Sequence, residues 1–336
     1  MNASGNGSQM AYAGAVLAAK DELTRRIHEK LVRELGPEII PLLRDPSVIE
    51  ILLNPDGNLW VEKLGHPMRK FGCMSSSQAE SLMATVAASL KTQITAQNPI
   101  LECELPLDGS RFEALIPPVV SAPTFSIRKR AIKVFSLTDY IAQGIMSIPQ
   151  KAEIELAVES KQNILVVGGT GTGKTTLTNA IIRYMVDVSP DDRVVIIEDT
   201  NELQCTAPNA VTLRAVEQAD MTRLLKATMR LRPDRIIVGE VRDGAALALL
   251  KAWNTGHPGG VCTVHANSAL AGLIRLEQLV AEATQAPMQS LIAEAIDLIV
   301  SMEKTTEGRK VREVATVATH DGRQYRIKSI TQGEEK

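Results

Sequence analysis

The sequence predicts an α/β protein in two domains: a smaller mixed α+β domain first, then a domain built on a mostly parallel sheet covered by helices. Three observations carry this. A chain of 336 residues suits two cores better than one. In the second half, short apolar runs at 163–167, 193–197, 235–238 and 260–264 alternate with helical stretches, as strands buried on both faces do. The first half holds turn-bounded strands and amphipathic helices without that alternation.

Residues 1–10 are small and polar, which predicts a flexible tail. From 11 to 44 the apolar side chains, among them Leu23, Ile27, Leu31 and Leu35, recur at helical spacing and predict one or two amphipathic helices. Strands are expected at 48–53 and 59–62 around the tight turn Asn54-Pro55-Asp56-Gly57. A helix over 77–90 would be capped by Ser76 or Ser77. Further strands at 111–116 and 124–127 flank Pro117-Pro118, which cannot lie inside a sheet. The amino-terminal domain is therefore read as 11–130, a linker with a short helix and Gly144 as 131–150, and the second domain as 151–336.

Composition narrows the function. Apolar residues make up 44% of the chain, yet no run approaches the about 18 needed to cross a bilayer. The amino terminus lacks a basic start and an apolar segment, so a secretory signal is not predicted and the cytoplasm is the expected location. Cys73, Cys103, Cys205 and Cys262 form no close pair, which indicates neither a zinc site nor a disulfide framework. With 37 basic and 39 acidic residues, no global field draws the chain to nucleic acid or anionic lipid. The basic patch Arg128-Lys129-Arg130 with Lys133 reads as a solvated surface or as a local contact with lipid or nucleic acid. Aromatic residues, at 3%, are too few for a base-stacking channel.

The chemistry is concentrated at 168–176. Gly168, Gly169, Thr170, Gly171, Thr172, Gly173, Lys174 and Thr175 match the phosphate-binding consensus, between an apolar strand and a helix, with Thr176 following. Glycines let main-chain amides turn toward phosphate oxygens, and the helix start adds the positive end of its dipole. Lys174 is expected at the β and γ phosphates and Thr175 on Mg²⁺. Hydrolysis also needs a carboxylate to hold the metal or orient water. Glu198, Asp199 and Glu202 follow one strand and Glu240 follows another; the sequence leaves open whether Glu198 or Glu240 is the base. His257 and His265 flank a further strand.

In this order the loop, the segment Ile196-Ile197-Glu198-Asp199-Thr200-Asn201-Glu202, the run Arg232-Pro233-Asp234-Arg235-Ile236-Ile237-Val238-Gly239-Glu240 and the stretch Gly256-His257 to His265-Ala266-Asn267 resemble the secretion or traffic ATPases. The chain lacks a tetracysteine zinc insert and is most similar to the TrbB-type conjugal transfer branch of type IV secretion. The resemblance implies a PAS-like amino-terminal domain, a RecA-like ATPase domain, and a homo-hexamer using ATP and Mg²⁺. It further implies a motor at the cytoplasmic face of the inner membrane, working with type IV secretion or conjugation machinery, with peripheral membrane contact and no sequence-specific nucleic acid. A pilus assembly or retraction ATPase and a nucleotide-switched scaffold are the alternatives. It also implies that Arg111 and Arg128 reach the phosphates and that His265 senses them, with His257 a weaker candidate. Glu198 and Glu240 would share the metal with Thr175.

Overall fold

The chain forms two units, Met1–Ile132 and Lys133–Lys336, in its computed structural model. The structure describes residues 5–64, 66–129 and 134–331. Among the described residues no helix is long and apolar enough to cross a membrane.

The first unit opens with α1 (Gly5–Arg44). It starts inside the stretch expected to be a tail; residues 1–4 lie outside the described residues. The run Gln9-Met10-Ala11 contains no proline or β-branched residue to oppose a helix. Gly36, at φ 72 and ψ 179, divides α1 in two, since the following Pro37 disfavours helical backbone before it and glycine tolerates the positive φ. Strands β1 (Val48–Leu53), β2 (Asn58–Lys63) and β3 (Arg69–Cys73) follow. Helix α2 (Ser76–Ser89) is capped by Ser75, whose side chain accepts from the Gln78 amide, one residue earlier than expected. Then come β4 (Ile100–Glu104), β5 (Arg111–Leu115) and β6 (Thr124–Arg128). The sheet order is β3-β2-β1-β6-β5-β4, antiparallel throughout. Leu31, Leu35 and Ile39 of α1 and Leu82 and Met83 of α2 share one core with Ile51, Phe112, Phe125 and Ile127.

The second unit begins with α3 (Leu137–Ala142) and α4 (Ile148–Glu159). Helix α4 starts within the stretch read as linker because Ser147 and Gln150 form a reciprocal capping box there. Arg130 and Lys133 of the basic patch lie outside the described residues. The elements that follow are β7 (Ile164–Gly168), α5 (Lys174–Val188), β8 (Val194–Glu198), β9 (Ala210–Arg214), α6 (Met221–Thr228) and β10 (Arg235–Val238). The last are α7 (Ala245–Asn254), β11 (Val261–Val264), α8 (Ala269–Ala281), α9 (Gln289–Ala295), β12 (Leu298–Thr305), β13 (Gly308–His320) and β14 (Tyr325–Thr331). Their sheet runs β14-β13-β12-β7-β11-β10-β8-β9. Strands from β12 to β9 pair in parallel, whereas β13 and β14 add on antiparallel. Alternate side chains of each strand enter opposite layers. Leu165, Val167, Ile236 and Val238 pack with α7 and α8; Ile164, Val166, Val194 and Ile237 pack with α4 and α5.

One charged side chain ties the amino ends of these strands together. Arg235 is wholly buried, with Nε 2.6 Å from Asp192 Oδ2 and Nη1 donating to the carbonyls of Val158 and Gly259. It thereby joins the end of α4, the turn before β8 and the loop before β11. Removing one member of such a buried set leaves carbonyls and a carboxylate without their partner. Arg235→Met is expected to destabilise this unit by about 3 kcal/mol, read as a lowered urea midpoint; an unchanged midpoint would show that the set contributes nothing.

Candidate functional site

Parallel pairing brings the carboxyl ends of β7, β11, β10 and β8 to one edge of the sheet. Val167 is in register with Val264, Val238 with Cys262 and with Ile197. Gly168, His265, Glu240 and Glu198 therefore emerge together although the sequence spreads them over nearly a hundred residues. His257 precedes β11 and lies at the opposite, amino end. The two histidines of one short motif are thus separated by a whole strand, and only His265 reaches the loop.

The loop from Gly168 to Gly173 is closely fitted. An added Cβ at Gly168 would fall 2.5 Å from Thr172 Oγ1 and 2.8 Å from the Met302 carbonyl, so no larger residue fits. Gly171 and Gly173 hold φ of 72° and 96°, backbone that glycine adopts without the strain other residues carry. Thr172 Oγ1 donates to the Gly169 carbonyl at 2.9 Å. Lys174, the first residue of α5, is buried, and its Nζ donates to the carbonyls of Gly168 and Gly169 at 2.9 and 3.1 Å. Burial lowers its pKa, and the Glu240 charge opposes that shift. Thr170 and Gly171 are exposed at the loop's crest, and Thr175 and Thr176 are half-buried in the first turn of α5.

Lys174, His265 and Glu240 form a continuous chain. Lys174 Nζ lies 3.3 Å from His265 Nδ1. An ammonium only donates, so Nδ1 is the acceptor and the neutral ring carries its proton on Nε2, 2.8 Å from Glu240 Oε1. Burial is the largest influence on His265 and lowers its pKa; Glu240 pulls it up, while Lys174 and Arg242 push it down again. The other oxygen of Glu240, Oε2, accepts from Arg242 Nε and Nη2 at 2.8 and 2.6 Å. Arg242 Nη1 is also 3.1 Å from Asp199 Oδ2.

The two candidate acids differ sharply in setting. Glu198 is 2% exposed, and its Oε2 accepts from the amides of Glu202 and Leu203 at 2.9 and 3.0 Å. Burial raises its pKa against those two amides. Its carboxylate organises the turn that presents Glu202, whose Oε2 takes the Thr175 hydroxyl at 3.3 Å. The carboxylate beside Thr175 is thus Glu202, four residues past Glu198 at the strand end. Asn179 fixes the same turn, donating to the Glu202 carbonyl and accepting from the Gln204 amide. Sequence reasoning places Glu202 among the acids after β8 without singling it out, and assigns no role to Arg242 or Asn179.

Arg111 and Arg128 belong to the first unit. They are in register across β5 and β6, and the row continues through Glu104 on one side and Glu50 on the other. Arg128 Nη2 is 3.3 Å from Glu50 Oε1. Both positions lie on the face opposite Phe112 and Ile127, with Glu104 and Glu50 flanking them in the row.

Comparison with known proteins places these features in a family. The family model for type II/IV secretion system proteins matches residues 34–331. The conjugal transfer protein TrbB of Rhizobium radiobacter is 52% identical over 314 residues, covering 92% of this chain and 97% of that protein. The type IV secretion system protein VirB11 of Bartonella henselae is 30% identical over 324 residues, covering 82% and 90%. Among solved structures, the ATPase DotB of Legionella pneumophila shares the fold with a TM-score of 0.59 at 18% identity, covering 83% of this chain and 79% of that one.

The dependence of the acid-rich turn on Glu198 is directly measurable. In Glu198→Ala the amides of Glu202 and Leu203 are expected to exchange with deuterium at least about tenfold faster, the loss of two bonds to an ionised group. Protection that survives the substitution would show that the turn is held by other contacts.

Proposed function

This chain belongs to the type II/IV secretion system protein family, and from that premise we propose that it is a Mg²⁺-dependent ATP-hydrolysing motor of a type IV secretion or conjugal transfer machine. The observation that carries the proposal is the convergence of Lys174, Thr175, Glu202, Glu240 and His265 at one sheet edge around a glycine loop. Relatives named as a conjugal transfer protein and a type IV secretion protein support the choice of machine. The working form is a homo-hexamer at the cytoplasmic face of the inner membrane, with a RecA-like ATPase domain from about residue 133 onward. The PAS-like reading of the first unit is supported by the run β2-β1-β6-β5-β4, five of the six strands of an antiparallel sheet backed by helices.

The residues fit a triphosphate and its metal. A Cβ would fill the cradle at Gly168, and Thr175 and Glu202 offer the pair of hard oxygens that suits an ion otherwise bound by water and phosphate. Magnesium, when bound, supplies neutralising charge on the phosphate oxygens. The loop amides and Lys174 bind the phosphates, with Thr175 and Thr176 at the start of α5. Glu202, held by the Glu198 turn, orients Thr175. Glu240 Oε1, a buried oxygen without a hydrogen-bond partner among the described residues, orients water and takes up its proton, and His265, standing between Lys174 and that oxygen, relays the state of the phosphate end to the acid. This division assigns catalysis to Glu240 and turn-building to Glu198. Arg111 and Arg128 are the pair assigned to transition-state charge.

Phosphate release by the purified chain tests the reading. Lys174→Ala should reduce it by about a hundredfold or more, and Glu240→Gln should slow turnover by about a hundredfold while the protein still binds ATP. A wild-type chain that binds ATP without turning it over, or transfer that proceeds normally with Glu240→Gln, would replace the motor by a nucleotide-switched scaffold.

A further inference from the structure

Arg309, the second residue of β13, sits 138 positions beyond the loop it touches. Its Nε donates to the Gly171 carbonyl at 2.9 Å, and its stem covers Gly173, where an added Cβ would lie 3.2 Å from Arg309 Cδ. The contact follows from strand pairing. Strand β12 runs beside β7 until Met302 meets Gly168, and the hairpin then turns back so that Arg309 pairs with Lys304. Among the described residues no carboxylate forms an ion pair with Arg309.

We propose that Arg309 is a positioning residue of the phosphate loop: by holding the Gly171 carbonyl outward it turns the Thr172 amide inward, toward the β phosphate of a bound nucleotide. The step rests on peptide geometry. A trans peptide is planar, so the carbonyl of one residue and the N–H of the next point in opposite directions. Gly171 and Gly173, at positive φ, are the residues whose backbone can swing most freely, and the peptide between Gly171 and Thr172 therefore needs an external restraint. The Arg309 bond is that restraint, delivered by a hairpin fixed to β7. The inference deepens the reading of residues 168–175 as a phosphate loop and rests on it.

An amide aimed at the β phosphate serves ADP and ATP alike, whereas a guanidinium reaching the terminal phosphate would serve ATP alone. Arg309→Met keeps the stem over Gly173 and removes the donor. With the full chain and magnesium, titration with ADP and with ATP is expected to show both weakened by the same factor, about tenfold. In steady-state hydrolysis KM should rise more than kcat falls, the melting temperature should hold, and Arg309→Lys should recover most of the affinity. Unchanged ADP affinity in Arg309→Met, loss of ATP with ADP retained, or failure of Arg309→Lys to recover any affinity would overturn the proposal. Lys174→Ala separates the two ideas: if it weakens ADP while Arg309→Met does not, the phosphate loop stands and the role of Arg309 falls. If neither weakens it, the phosphate-loop reading fails and takes the proposal with it.

Discussion

Parallel registration of β7 with β11, β10 and β8 is the constraint from which the site descends. Strands buried on both faces cannot carry ionisable groups along their length, because each would need a partner inside an apolar layer. Their polar residues are driven to the ends, and parallel pairing makes the carboxyl ends coincide. Gly168, Glu198 and His265 are the last residue of, or the first beyond, their strands, with Glu240 two past Val238. The amino ends show the complementary case: Arg235 is tolerated there because Asp192 and two carbonyls meet it. Ligand sites of open α/β sheets form outside the carboxyl ends for the same reason.

Within that edge, one imidazole keeps two opposite charges apart. Lys174 and Glu240 would otherwise be free to pair directly, and a direct ion pair would occupy the two groups that the proposed motor assigns to phosphate and water. His265 stands between them, accepting at Nδ1 and presenting Nε2 to Glu240. Arg242 balances the second oxygen of Glu240. The same arrangement favours the neutral ring, since partial burial with Lys174, Arg242 and Arg275 lowers its pKa against the pull of Glu240. A neutral imidazole with Lys174 at one nitrogen and Glu240 Oε1 2.8 Å from the other responds to movement of either neighbour.

What the sequence revealed, and what it withheld, follows from how local each signal is. The loop was legible because its glycines, Lys174 and Thr175 stand in one contiguous run, and the four inner strands because burial on both faces leaves an unbroken apolar signature. The roles of Glu198 and Glu202 were not legible. Both follow one strand, and only the turn, closed by two amides onto Glu198, decides which acid faces Thr175. His257 and His265 belong to one motif, yet a strand of fixed direction stands between them. The acidic neighbours of Arg111 and Arg128 come from register across three strands, which no single segment encodes. Strands β13 and β14 were missed because charged and apolar residues mix in them, and Arg309 went with them; β12 was missed although its start, Leu298 to Met302, is an uncharged and wholly buried run.

The phosphate loop itself can be read as a problem in accounting for main-chain carbonyls. Every buried or tightly held carbonyl needs a donor, and the free amides at the start of α5 cannot be given to the loop's own carbonyls if they are to meet a phosphate. Here the donors come from side chains: Lys174 for Gly168 and Gly169, Thr172 also for Gly169, and Arg309 for Gly171. Because carbonyl and following amide oppose one another across each planar peptide, satisfying these oxygens on one side commits the intervening amides to the other. The glycines supply the freedom to adopt that arrangement and the side chains remove it again. An anion-binding loop is therefore specified as much by what its carbonyls bond as by its consensus, and part of that specification lies in a hairpin at the far end of the chain.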